Sequence, residues 1–305
     1  HGHRERAELH DARAQVVDRP YPFASHYFDC HGLKVHYLDE GTGDPVVMLH
    51  GNPTWSYYYR NLVGALRDRF RCVVPDHVGC GFSDKPQPPL YDYSLASRVD
   101  DLTALLDHLG LRESVTLVMH DWGGMIGMAW AARHVPAVRR LVLMNTAAFR
   151  MPKAKRMPLR LWVARNTRLG AWLIRSKNLF CRHAADVCVK RRPLPADVRE
   201  WYLRPYNSWD NRVAVLKFVQ TIPLKATDPG FEIIADTEAA LPKLARTPTL
   251  ICWGMKDFVF SPEFLDEWER LMPHAEVHRF DDAGHYVLED AADEVIPLID
   301  QFLSR

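Results

Sequence analysis

The sequence predicts an α/β fold, a doubly wound and mostly parallel sheet of eight strands with a helical segment inserted late in the chain. Three observations predict it. Short, continuously apolar runs recur along the 305 residues, as strands buried on both faces require. Stretches with helical apolar spacing alternate with those runs, the pattern of βαβ crossovers. The alternation breaks once, between about residues 149 and 225, where the chain is rich in Trp, Leu and Arg and carries no strand signal.

Each element follows from local chemistry. Residues 1–20 are charged and end at Pro20, which reads as a flexible arm. Residues 26–29 and 33–39 form two short strands around the turn Cys30-His31-Gly32. The five apolar runs at 45–50, 72–76, 115–120, 141–145 and 249–253 supply the central strands, and 275–280 the last. Helices are expected at 55–68, 95–109, 122–134 and 262–271. The second of these places Leu95, Val99, Leu102, Leu105, Leu106 and Leu109 on one face. The core is therefore read as 21–148 and 226–305, with 149–225 as a helical cap over the strand ends.

Composition removes several function classes. Lys and Arg total 39 and Asp and Glu 38, a formal charge of +1, which argues against a nucleic-acid coat protein. With 47% hydrophobic residues the chain has ample surface to bury and is not disordered as a whole. Six cysteines form no C-x-x-C pair, the usage of buried thiols in a reducing compartment. No apolar run approaches the ~18 residues of a membrane span. With no apolar leader visible either, a cytoplasmic protein is expected. There is no H-E-x-x-H, no Cys/His cluster at ligand spacing and no phosphate-cradling loop, so neither metal nor cofactor is expected.

In such a sheet ligands bind beyond the carboxyl ends of the strands. The informative residues are those that follow each run: Asn52, Asp76, Asp121, Asn145, Asp257 and His285. His120-Asp121-Trp122-Gly123-Gly124 lies where a strand turns sharply into a helix, the place of the nucleophile elbow G-x-S-x-G in α/β-hydrolases. An aspartate also caps helices there, but as a nucleophile it needs no base and attacks an electrophilic carbon to form an ester. Gly284-His285 after the last strand supplies a base. Asp257 after the penultimate strand supplies the carboxylate that orients it. Asn52 and Trp122 offer backbone and side-chain N–H groups to a developing anion. Any one of these has a bland alternative as a turn or packing residue; their order along the chain, at successive strand ends, is what carries the signal. Trp162, Trp172, Phe180, Trp201 and Trp209, with Leu169 and Leu173, are candidates to line an apolar substrate pocket under the cap.

These motifs resemble the haloalkane dehalogenase group of α/β-hydrolases over roughly residues 24–305. The matching segments are His50-Gly51-Asn52-Pro53, Gly79-Cys80-Gly81-Phe82-Ser83-Asp84-Lys85-Pro86, His120-Asp121-Trp122-Gly123-Gly124 and Gly284-His285. The resemblance implies Asp121 as nucleophile, His285 as base, Asp257 as acid, and Asn52 and Trp122 as anion-stabilising donors. Some members place the acid after the strand that here ends at Asn145; Asn145 offers no carboxylate, so Asp257 takes the role. The stretches Asn52–Arg60 and Pro75–Gly81 further resemble one branch, the β-lactone decarboxylases of bacterial long-chain olefin biosynthesis. That likeness implies conversion of a cis-3,4-dialkyl β-lactone to a cis-alkene and carbon dioxide. It also implies a hydrophobic long-chain substrate and an assembly with other enzymes of the olefin pathway. The carbonyl and the ring alkyl carbon of a lactone are both open to attack by Asp121. A hydrolytic haloalkane dehalogenase uses the same five residues, and an epoxide hydrolase would use Tyr202 and Tyr206 as cap phenols. A non-catalytic scaffold acting through its cap is the reading farthest from these.

The charge of +1 conceals a split. Residues 150–225 carry 18 Lys or Arg against four Asp or Glu, +14, so the remainder carries −13. Exposed Arg and Lys stems over apolar surface account for part of this. A basic cap that docks on an acidic partner, on an anionic membrane surface or on other copies of the chain is the sharper expectation, with Lys190, Arg191 and Arg192 as its densest run.

Overall fold

In the computed structural model, residues 21–305 are described; the expected arm at 1–20 lies outside them. Eight strands form one sheet: β1 (His26–Cys30), β2 (Leu33–Glu40), β3 (Pro45–Leu49), β4 (Arg71–Pro75), β5 (Val115–Asp121), β6 (Val138–Thr146), β7 (Thr249–Gly254) and β8 (Glu276–Phe280). Their order is β1-β2-β4-β3-β5-β6-β7-β8. β1 and β2 pair antiparallel with each other, and β2 with β4; every other pairing is parallel. All seven residues of β5 are buried. Alternate side chains enter opposite layers: Val47, Leu49, Leu117 and Met119 one core, Val46, Met48, Val118 and Val142 the other.

The α-helices, in chain order, are α1 (Arg60–Leu66), α2 (Leu95–His108), α3 (Trp122–Arg133), α4 (Leu159–Asn166), α5 (Arg168–Lys177), α6 (Leu179–Val187), α7 (Ala196–Leu203), α8 (Val213–Gln220), α9 (Phe231–Ala240), α10 (Pro262–Leu271), α11 (Val287–Asp290) and α12 (Ala292–Leu303). Residues of α2, α3, α9 and α10 fill the first core; those of α1 and α12 fill the second. Between β6 and β7 the described chain holds helices and no strand, and α4 to α9 lie there, α4 to α8 of them within residues 149–225.

Two elements depart from the sequence reading for physical reasons. β6 begins at Val138, three residues before the apolar run, because Arg139 and Arg140 interrupt the run while still in the ladder. Their charges are met at the amino-terminal end of this central strand, where Arg139 pairs with Asp44 at 2.6 Å and Arg140 donates to the Arg305 carbonyl. The helix expected at 55–68 starts as a 3-10 turn, Ser56–Tyr59, and becomes α-helical only at Arg60. The buried Asp76 carboxylate accepts the Ser56 N–H at 2.6 Å and pins that entry.

Candidate active site

The site forms where β5 turns into α3. Asp121 sits at φ +53°, ψ −128°, a conformation an L-residue adopts only under constraint. Thr146 supplies part of that constraint, donating its hydroxyl to the Asp121 carbonyl at 2.5 Å. Gly124 is required there, because a Cβ at that position would run into the Thr146 hydroxyl. Gly51 is required for a second close approach: its Cβ would fall on the Asp121 side chain. The turn therefore thrusts the carboxylate out of the sheet against the β3 loop, with the positive end of α3 behind it.

Three sequence-distant residues meet there. His285 Nε2 lies 3.1 Å from Asp121 Oδ2, and its Nδ1–H donates to Asp257 Oδ2 at 2.6 Å. All three side chains are buried. Burial alone would push the His285 imidazole down; Asp257 and Asp121 override it and hold the ring up at about 10. Burial would likewise raise the Asp121 carboxyl, but the His285 hydrogen bond and charge keep it below its ordinary value. The other Asp121 oxygen, Oδ1, accepts the Asn52 backbone N–H at 2.8 Å.

The flanking donors are placed unevenly. The Asn52 side-chain amide donates to the Val215 carbonyl of α8 at 3.1 Å, while its Oδ1 is buried without a partner. The Trp122 ring is buried, tilted on Phe218 of α8 at 5.2 Å, and its indole N–H has no protein acceptor among the described residues.

Several residues brace this arrangement: Asn145, marked in the sequence only as a strand end without a carboxylate, and His120, His50 and Asp290, to which the sequence assigned no role of their own. Asn145 donates from Nδ2 to Asp257 Oδ2 and to the Gly254 carbonyl, both at 3.0 Å, and accepts the Gly254 N–H at 2.8 Å. The position that lacks a carboxylate thus orients the one that has it. His120 donates from Nε2 to the His285 carbonyl at 2.8 Å, and burial drives its ring down to about 3, so it stays neutral. His50 accepts the His77 N–H at 3.0 Å and donates to the Gly51 carbonyl at 2.8 Å, fixing the loop that holds Asn52. Asp290 accepts the backbone N–H groups of Gly284, Lys190 and Arg191 at 2.7 to 3.0 Å, clamping the histidine loop to the inserted segment.

The expected pocket walls are corrected. Trp162, Trp172 and Trp209 are 50%, 47% and 46% exposed, so they face outward and do not wall a buried site. Length is not the reason, since α8 is as short as α4 and buries six of its residues; no described element lies over α4 to cover it. Trp201 is buried, but in a stack with Trp55 and Tyr57 that belongs to the second core, and the half-buried Phe180 packs on the same cluster. The apolar groups beside the acid–base pair are instead Phe218, and Phe260 stacked on His285 at 5.8 Å. Tyr202 and Tyr206 are spent elsewhere: Tyr202 donates to Glu289, and Tyr206 to the Thr54 carbonyl at 3.1 Å. Neither is a free phenol for an epoxide oxygen.

The family comparison agrees with this geometry. The alpha/beta hydrolase fold family matches residues 44–292. The chain is 55% identical over 290 residues to the cis-3-alkyl-4-alkyloxetan-2-one decarboxylase of Shewanella oneidensis, covering 95% of this chain and 91% of that protein.

The chain belongs to the α/β-hydrolase family, on its cis-3-alkyl-4-alkyloxetan-2-one decarboxylase branch.

A second decarboxylase of that name, from Xanthomonas campestris, is 49% identical over 90% of this chain and 93% of its own. Haloalkane dehalogenase 2 of Mycobacterium bovis is more distant, 32% identical over 92% of this chain and 94% of its own. A crystal structure of a haloalkane dehalogenase from Agrobacterium tumefaciens superposes with a TM-score of 0.83 at 26% identity, covering 95% and 99% of the two chains. This α/β-hydrolase therefore shares its scaffold with the dehalogenases and more of its sequence with the decarboxylases.

Proposed function

We propose that this protein decarboxylates cis-3,4-dialkyl β-lactones to cis-alkenes and carbon dioxide, with Asp121 as nucleophile and residues 149–225 as the cap over the site. The observation that carries the reading is the buried chain Asp121–His285–Asp257, built at the end of β5 with a carboxylate where acyl-transfer members of the fold carry serine. The two decarboxylase relatives supply the substrate class.

The chemistry selects the ring alkyl carbon. Attack by the Asp121 carboxylate at C4 opens the strained ring, leaves an alkyl ester on Asp121 and frees a carboxylate on C3. Loss of carbon dioxide then sends the bonding pair into a C3–C4 double bond and expels Asp121 intact. Attack at the carbonyl would leave an anhydride with no free carboxylate to lose. Inversion at C4 followed by anti elimination keeps the cis relation of the two alkyl groups. The route consumes no water. His285, protonated between two carboxylates, steadies Asp121 in the free enzyme and the liberated carboxylate after ring opening. Trp122, whose indole N–H has no protein acceptor among the described residues, and Asn52 are assigned as donors to that second anion. Asp257 and Asn145 hold the imidazole in place.

The six cysteines are all buried free thiols, which fits a reducing cytoplasm. Among the described residues no helix is long and apolar enough to cross a membrane.

Incubation with a cis-dialkyl oxetan-2-one, with alkene followed by gas chromatography, tests the reading beside a 1-bromoalkane control followed by halide release. Alkene without comparable halide release is expected. Rapid bromide release with no alkene would assign the site to dehalogenation instead.

A further inference from the structure

From Trp122 to Ala185 the sequence contains no Asp or Glu, and residues 150–185 alone carry ten Lys or Arg. Part of that charge is met within the protein. Arg150 pairs with Glu238, Arg165 with Asp228, and Lys155 donates to the Phe258 carbonyl and the Ser261 hydroxyl. Lys153, Arg156, Arg168 and Lys177 are exposed and have no acidic partner among the described residues, and the exposed Arg182 has only the Asp186 charge one turn along its own helix. The same segment displays apolar surface. Leu159, Trp162, Leu169, Trp172, Leu179 and Trp209 are all between 46% and 75% exposed.

The helical spacing orders these groups. Leu159 and Trp162 stand at i and i+3 on α4, and Leu169 and Trp172 do so on α5. α4 buries none of its residues. It packs closely on α5, where a Cβ on Gly170 would strike the Val163 carbonyl. A pair of short helices that turns Trp and Leu to solvent among unpaired Arg and Lys has the composition of a surface lying in a bilayer interface. Trp and Leu enter the boundary with the acyl chains, and Arg and Lys meet lipid phosphates.

We propose that α4 and α5 dock this protein on an anionic lipid bilayer. The docking needs no catalytic residue; only its purpose, taking long-chain substrate from the membrane where it dissolves, rests on the proposed reaction. The Lys190–Arg192 run is not the contact, because Arg191 is already committed to Asp282 and Glu294 of the body.

Co-sedimentation tests it, using the full chain with vesicles of mixed phosphatidylglycerol and phosphatidylcholine or of phosphatidylcholine alone. Binding to the mixed vesicles only is expected, weakening as salt is raised. Arg156→Glu/Arg168→Glu/Arg182→Glu should lower the partition coefficient at least about tenfold. Trp162→Ser/Trp172→Ser should lower it several-fold, with circular dichroism confirming that both variants fold. An Asp121→Asn protein run alongside should bind like the parent, which separates a failure of docking from a failure of the reaction. No binding of the parent to mixed vesicles, or full binding by the triple variant, would overturn the proposal. So would binding to polyglutamate as tight as to vesicles, which would assign the surface to an acidic protein.

Discussion

α3 and α4 are both rich in apolar residues and both contain Trp, yet they live in opposite surroundings. α3 buries ten of its twelve residues against the sheet and presents its first turn to the site. α4 buries none. Between them runs the gradient that organises the molecule. Around α3 the catalytic carboxylates and their neighbours are tied to one another: Asp121 to His285 and Asn52, Thr146 to Asp121, Asn145 to Asp257. Around α4 charges and indoles face outward. The first region is preorganised for chemistry, and the second is finished only by something outside the protein. Apolar content alone does not distinguish them; the neighbours do.

Short of removing Asp121 itself, the largest effect expected on this contrast is at the tightest contact of the first region. Gly51→Ala forces a methyl into the space of the Asp121 carboxylate. A loss of turnover of about a hundredfold or more, and about 1–3 kcal/mol of stability, is expected, read by steady-state kinetics and urea unfolding. Wild-type rates in this variant would show that the elbow tolerates a shift the structure forbids.

Next is Asp257→Asn. His285 is held at about 10, above the free imidazole value of about 6.5. A folded-state value above the unfolded one stabilises fully below the unfolded value and is lost as pH rises through the folded one. The parent should therefore lose stability between about pH 6.5 and 10, and the variant should lose less of it. Thermal melts across that range measure both slopes, and parallel slopes would remove Asp257 from the pair.

Asp290→Asn comes third. It weakens acceptance of three backbone N–H groups that tie residues 190–191 to the histidine loop. A cost of about 1–3 kcal/mol is expected, with faster tryptic cleavage after Lys190 and Arg191. Smallest is Arg191→Gln. Its pairs with Asp282 and Glu294 are at the surface, so a change of only about 0.2–1 kcal/mol is expected.

The same contrast explains what the sequence made legible. The five central strands could be read because buried parallel strands are continuous apolar runs, β1 and β2 because of the turn between them, and Asp121, Asp257 and His285 because each lies in the turn or loop at the end of a strand. The exceptions have local causes. Arg139 and Arg140 hid the start of β6, and α9 went unseen because it buries only Ile234 and Thr237. The bracing residues were hidden by distance along the chain: Asp290 acts on residues about a hundred positions away, and Asn145 acts on Asp257 across 112. No local pattern encodes such partners. The aromatic candidates failed for the opposite reason. Trp and Leu at helical spacing mark an apolar face without saying what that face meets, and in α4 and α5 it meets solvent. The charge split is likewise half internal: Arg150, Arg165 and Arg191 spend the basic excess on the acidic body.

The central claim is that Asp121 is the nucleophile, and Asp121→Ala tests it most directly. Alkene formation from a cis-dialkyl oxetan-2-one should fall at least about a thousandfold, while circular dichroism and the melting curve show an intact fold. Full alkene production by that variant would contradict the account.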